Sequence, residues 1–184
     1  MKNSVLTLMA ILSLLLNSAT AQTPEFWGMT SAAGSGNDEY YGVIFKTDGN
    51  GLNQTVEFDF HSTPGHRPYY SKLCQATNGK LYGMTSYGVG VIYEYDPVKN
   101  TSIKVHQFIQ ADGYKPFGSL IQATNGKLYG MTAHGGTYDD GVIFEFDPAT
   151  GIYVKKFDFG GSNGKNPSGS LVQATNGKLY GMTN

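Results

Sequence analysis

Only one cysteine, Cys74, occurs in the 184 residues, so the chain contains no pair from which an internal disulfide could form. Charge is sparse as well: charged side chains make up 15% of the chain, and 13 basic against 14 acidic residues leave a net charge of −1 with no basic run anywhere. That excludes the concentrated positive surface on which nucleic-acid and anionic-membrane binding depend. Long apolar runs are missing too. Val5 to Leu16 is the longest, and it falls short of the roughly eighteen residues a membrane-spanning helix needs. After residue 21 no stretch keeps a helical period over a useful length.

The short apolar run has its own reading. Lys2 precedes it and Ala19-Thr20-Ala21 follows it, the charge, apolar core and small-residue site of a secretory signal peptide over residues 1–21. The expected location is therefore secreted or on the outer cell surface, with no transmembrane segment in the mature chain. No Cys follows the cut to accept a lipid.

What the chain has in abundance is glycine (25), tyrosine (13) and phenylalanine (10), the composition of many short strands joined by tight turns. The phrase Gln-Ala-Thr-Asn-Gly-Lys-Leu-Tyr-Gly-Met-Thr occurs unchanged at Gln75 to Thr85, Gln122 to Thr132 and Gln173 to Thr183, with a partial copy at Phe26 to Thr30. Identical text at near-regular spacing marks a tandem array. The repeats read as 26–80, 81–127 and 128–178, with a partial copy at 179–184. Each Asn-Gly predicts a two-residue type I′ hairpin turn. In the third repeat the strands are expected at Ser119 to Ala123, Lys127 to Thr132, Gly141 to Phe146 and Tyr153 to Phe159. The segments that absorb length differences, after Thr30, Thr85 and Thr132, read as surface loops.

A four-stranded antiparallel meander that is apolar on both faces must stack on its neighbours. Radial stacking of such sheets gives an all-β, β-propeller-type array of about three blades plus a partial one. Phrases such as Leu-Tyr-Gly-Met-Thr, Gly-Val-Ile-Phe and Gly-x-x-Pro-x-Gly-Ser-Leu-Ile-Gln-Ala resemble the GloVer-type tandem repeat of bacterial "choice-of-anchor" proteins, and in outline the kelch class of blade. The resemblance implies exported, surface-associated repeat proteins whose C-terminal anchors differ, and it supplies no known catalytic residues to carry over. The open ends of such an array suggest either the N-terminal part of a longer propeller, with further C-terminal blades, or closure by self-association.

Candidate sites follow from position in the repeat. The variable loops carry Asp38, Glu39, Tyr87, His134, Asp139 and Asp140, which form the candidate binding loops. Their carboxylates suit calcium in principle, but the second loop has none, and solvated loop charge is the simpler reading. Trp27, Tyr82, Tyr129 and Tyr180 share one position beside the strand glycine, suited either to a sugar face or to packing between sheets. Of the histidines, His106 aligns with Phe58 and Phe157 and reads as the filler of an aromatic slot; His61, His66 and His134 lack ligand-like spacing. Asp48, Asp96 and Asp147 recur at a turn and read as Asx-turn residues. No metal, cofactor or catalytic residue is assigned. The expected role is a non-catalytic scaffold or binding module for an extracellular glycan or protein, the alternative being part of a polysaccharide-active enzyme.

Overall fold

The computed structural model describes residues 23–32, 41–60 and 65–184. The signal-peptide reading, the loop acids Asp38 and Glu39, and His61 lie outside the described residues. Within them the chain is all-β, without a helix. The strands run β1 (Glu25–Met29), β2 (Val43–Asp48), β3 (Thr55–Asp59), β4 (Cys74–Gln75), β5 (Leu81–Thr85), β6 (Val91–Asp96) and β7 (Thr101–Gln107). They continue as β8 (Ile121–Gln122), β9 (Leu128–Thr132), β10 (Val142–Asp147), β11 (Ile152–Asp158), β12 (Val172–Gln173) and β13 (Leu179–Tyr180). Each sheet is an antiparallel meander in chain order: β1-β2-β3, β4 to β7, β8 to β11, and β12-β13. We call them sheets one to four.

The four strands expected of the third repeat are all present. The first is only the two residues of β8, because the Ser119 N–H turns away from the sheet to donate to Ser170 Oγ of the next repeat at 2.8 Å.

The Asn-Gly turn is corrected. Gly79 has φ 80°, but Asn78 has no positive φ, which a type I′ turn would require. Gly79 N–H donates to the Ala76 carbonyl and Ala76 N–H to the Lys80 carbonyl, both at 2.9 Å. This is a type I turn closed by a glycine bulge, and Ala123–Lys127 and Ala174–Lys178 repeat it. Asparagine is there for its side chain: Asn78 Oδ1 accepts the Lys80 N–H, and its Nδ2 donates to the Tyr82 hydroxyl on the next strand, each at 3.0 Å.

The glycine inside the second strand has an equally local cause. Gly83 faces Tyr93, Gly130 faces Phe144 and Gly28 faces Phe45 across the ladder. In each pair the aromatic ring lies over the glycine, so that a Cβ on Gly130 would sit 2.5 Å from Phe144 Cζ. A bulge in the outer strand recurs as well, at Glu57, Val105 and Lys156, opposite Ile44/Phe45, Ile92/Tyr93 and Ile143/Phe144.

Apolar clusters join each sheet to the next. Sheets one and two meet through Ile44, Phe60, Tyr93 and Tyr95; two and three through Tyr82, Met84, Phe108 and Phe144; three and four through Tyr129, Met131, Phe159 and Leu171. The middle strands β5 and β9 are buried throughout, whereas the outer strands β7 and β11 are largely exposed. Polar links accompany the packing. Gln122 Oε1 accepts the Thr77 N–H at 2.9 Å, and Gln173 Oε1 accepts the Thr124 N–H at 2.9 Å. A glutamine at the start of one sheet thus grips the turn of the sheet before it.

Candidate functional site

The recurring aromatic position is buried and hydrogen-bonded where the sheet has four strands. Tyr82 is fully buried, and its hydroxyl donates to Glu94 Oε2 at 2.6 Å; Tyr129, 9% exposed, does the same to Glu145 Oε2 at 2.6 Å. Lys80 and Lys127 pair with the other oxygen of each carboxylate. The Lys127 ammonium, and after it the Tyr129 hydroxyl, hold the Glu145 carboxyl below its ordinary range. Burial, then the hydrogen bond to Glu145, pushes the Tyr129 hydroxyl up. Tyr180 takes the corresponding bond from Asn176 Nδ2 at 3.0 Å but is 48% exposed. Trp27 differs: Lys46 stands 5.5 Å from its ring and pairs with Glu25 at 3.5 Å and Glu57 at 3.6 Å.

Of the acids of the third loop, one bonds within that loop and the other to the segment after β11. Asp139, in the left-handed region at φ 59°, accepts the Gly135 N–H through Oδ1 at 2.8 Å, and Asp140 Oδ2 accepts the Gly161 N–H at 3.0 Å. Among the described residues, no three His, Cys, Asp or Glu side chains are grouped to hold a metal ion. The turn aspartates do act as Asx residues: Asp96 Oδ1 accepts the N–H groups of Val98 and Lys99 at 3.0 and 3.1 Å, and Asp147 Oδ1 accepts that of Ala149 at 2.9 Å. His106 fills the aromatic slot, stacked on Tyr153 at 3.9 Å and edge-on to Phe108 at 5.1 Å, the geometry of Phe58 on Phe60 and of Phe157 on Phe159.

Tyr87 stands apart, 55% exposed on an open pocket of about 460 Å³ at the junction of the first two repeats. The Gly-x-x-Pro segments build this place. Arg67 and Lys115, each the residue before a proline, take left-handed backbone at φ 60° and 51°, an uncommon conformation for a side chain of that size. It is held by hydrogen bonds to both flanking loops: the Lys115 N–H donates to the Val89 carbonyl at 3.0 Å, and the Lys115 carbonyl accepts the Ala133 N–H at 3.1 Å. Arg67 does the same between Tyr41 and Ser86. The result presents both cations at one pocket, with Tyr69, Tyr87 and Phe117 as its aromatic lining.

Behind the Tyr87 ring lies His66, with centroids 3.9 Å apart, and the Arg67 guanidinium stands 5.2 Å from the ring centre. Burial first, and the Arg67 charge second, keep the His66 imidazole below its usual pKa. The next junction repeats the stack with the residue types exchanged, Tyr114 on His134 at 5.4 Å, and at the third Lys165 takes the place of His66 and Tyr114. The structure therefore sets Tyr87 and His134 at equivalent junctions and keeps Asp139 and Asp140 within the third loop. The loop signal in the sequence found Tyr87. Arg67, Tyr69, Lys115 and Phe117 were missed, although two cations directly before prolines with aromatics directly after them were legible.

No curated protein matches the chain. Among solved structures it is similar to a puromycin-hydrolyzing peptidase of Mycobacterium tuberculosis, at 10% identity and TM-score 0.41, over 76% of this chain and 21% of that one. The chain thus spans about a fifth of that protein's length. Over residues 17–184 it matches the model of the Gloeobacter/Verrucomicrobia repeat, and it belongs to that repeat family.

Proposed function

We propose that the protein is an exported binding module, a propeller-type array whose sheets are the scaffold and whose first loop junction takes a carbohydrate carrying carboxylate groups. One observation carries this reading: the junction pocket is lined by Tyr69, Tyr87 and Phe117 and bordered by Arg67 and Lys115. Aromatic faces suit the C–H face of a pyranose ring, while a guanidinium and an ammonium suit its carboxylate. The signal-peptide pattern of residues 1–21 supports a site outside the cell, at the surface or secreted.

The non-catalytic part of the reading is supported by how the nearby acids are used. Glycoside hydrolysis asks for two carboxyl groups flanking a bond. Asp139 and Asp140 instead accept backbone N–H groups, of Gly135 in the same loop and of Gly161 in the segment after β11.

Calorimetry with a soluble polyuronate, compared with its neutral methyl ester, tests the proposal. The expected result is binding of the acid form only, weakened about ten-fold or more by Tyr87→Ala and by Lys115→Gln. Equal binding of acid and ester would remove the role of the cations. Release of reducing ends, lost in Asp139→Asn or Asp140→Asn, would establish the enzyme instead.

A further inference from the structure

Four glycine-marked strands, β1, β5, β9 and β13, hold the same place in their sheets, and three of them have a short strand on the inner side: β4, β8 and β12. Among the described residues nothing pairs with that edge of β1. In its place is a cavity of about 530 Å³, lined by Phe26, Trp27, Leu73 and Gln75 among others.

Three comparisons show that, among the described residues, this cavity is a strand-sized gap. Phe26 is 57% exposed, whereas its counterparts Leu81 and Leu128 are 5% and 0% exposed. Leu73 is half-buried, whereas Leu120 and Leu171 are 3% and 5% exposed. Most telling is the glutamine link. Gln122 and Gln173 each receive the N–H of a turn threonine in the sheet before, at 2.9 Å, and their Nε2 groups reach the same threonine's hydroxyl at 3.3 and 3.4 Å. Gln75 is the same residue one sheet earlier. Its side chain makes no hydrogen bond to the described residues and lies exposed at the cavity, where that threonine would be.

We propose that this gap takes an inner strand with the repeat's own sequence, Ser-Leu-x-Gln-Ala-Thr, donated by a second copy of the chain, with its threonine held by Gln75. Backbone bonds to the open edge of β1 would supply affinity, and the pockets at Phe26 and Leu73 would supply register. The chemistry of sheet one fits a strand that arrives without the Asn-Gly turn. In sheets two and three the second-strand aromatic is a tyrosine bonded to the turn asparagine. In sheet one it is Trp27, which needs no such bond, and the Lys80–Glu94 pair is reversed as Glu25 and Lys46, contained within β1 and β2. The segment from Ser170 to Thr175 carries that sequence; within its own chain it stays packed on sheet three and pairs with β13, whose edge the β1 of a second copy would take over. A head-to-tail contact of this kind builds rings or filaments rather than closed pairs only.

Trp27, the single tryptophan of the chain, lines the gap and reports on it. Two measurements on the protein decide the matter. A synthetic peptide of residues 168–177 should shift Trp27 emission to the blue in a saturable way, a scrambled peptide should not, and Gln75→Ala should weaken binding about five-fold. In sedimentation the protein should associate with rising concentration, and the peptide should return it to monomer. No shift with the peptide, or the same shift with the scrambled one, overturns the strand site. A specific shift in a protein that stays monomeric at every concentration overturns the second copy as donor.

Discussion

Sheet three and sheet one are built from the same phrase and end differently. In sheet three Tyr129, Asn125, Lys127 and Glu145 form a polar chain that starts at the hairpin turn and ends on a carboxylate 8% exposed. In sheet one the turn asparagine has no counterpart among the described residues, and the tyrosine and glutamate are replaced together by Trp27 and Lys46. A tyrosine hydroxyl buried at this position would lack the asparagine and the carboxylate, and an unpaired buried hydroxyl costs on the order of 1–3 kcal/mol. The repeat is thus not a list of preferred residues but a set of dependencies: removing the turn changes what the neighbouring strand can carry.

The strongest test of that contrast is at the strand glycines. In Gly130→Ala the new Cβ meets the Phe144 ring, which is fully buried and has nowhere to move. The expected loss is about 3 kcal/mol in urea unfolding, the upper range for overpacking a filled core. Gly28→Ala meets Phe45 just as closely, but Phe45 is half-buried in the sheet whose inner edge is unpaired among the described residues. There the ring can yield, and about 1 kcal/mol is expected. Equal losses would show that the two sheets are packed alike.

Next in size is the polar chain itself. Glu145→Ala leaves the Lys127 ammonium and the Tyr129 hydroxyl without their acceptor and should cost about 2 kcal/mol at neutral pH. Lys46→Ala breaks pairs at 3.5 and 3.6 Å that are partly in water and should cost under about 1 kcal/mol. Because the folded-state pKa of Glu145 lies below its unfolded value of 4.5, its contribution is complete above that pH and disappears as pH falls through the folded value. Glu145→Gln should therefore flatten the acid limb of the stability curve, and an unchanged limb would dismiss the carboxylate as its source.

Period and composition made the strands legible, since glycine, aromatic and turn residues recur at fixed offsets and local rules suffice for a meander. Alignment inside the chain also placed His106 in an aromatic slot and the turn aspartates in Asx geometry. The turn type was misread because Asn-Gly was weighed for backbone freedom alone, while the asparagine side chain was already committed to Lys80 and Tyr82. The junction pocket was illegible for a different reason. Arg67 and Tyr69 meet Tyr87 and Phe117 only after two repeats have stacked, and no spacing within one repeat shows that.

The smallest expected effect concerns one place where sheet two departs from its neighbours. His106 stands where sheets one and three have Phe58 and Phe157, stacked on Tyr153 with Asp112 3.5 Å from its Nε2. Burial lowers its pKa, and the Asp112 charge, acting the other way, does not reverse the shift. A histidine whose folded pKa lies below its unfolded value of 6.5 binds protons more readily in the unfolded chain, so its contribution is complete above that pH and is lost as pH falls below it. His106→Phe installs the residue of the other two sheets, which cannot be protonated. The variant should match the parent's melting temperature near neutral pH and exceed it by a few degrees at about pH 5.5, an effect of roughly 1 kcal/mol or less. Some acid sensitivity should survive the change, because His66 is depressed in the same direction at the first junction. A variant that loses stability with acid as steeply as the parent would show that the histidine in sheet two is, thermodynamically, just another ring.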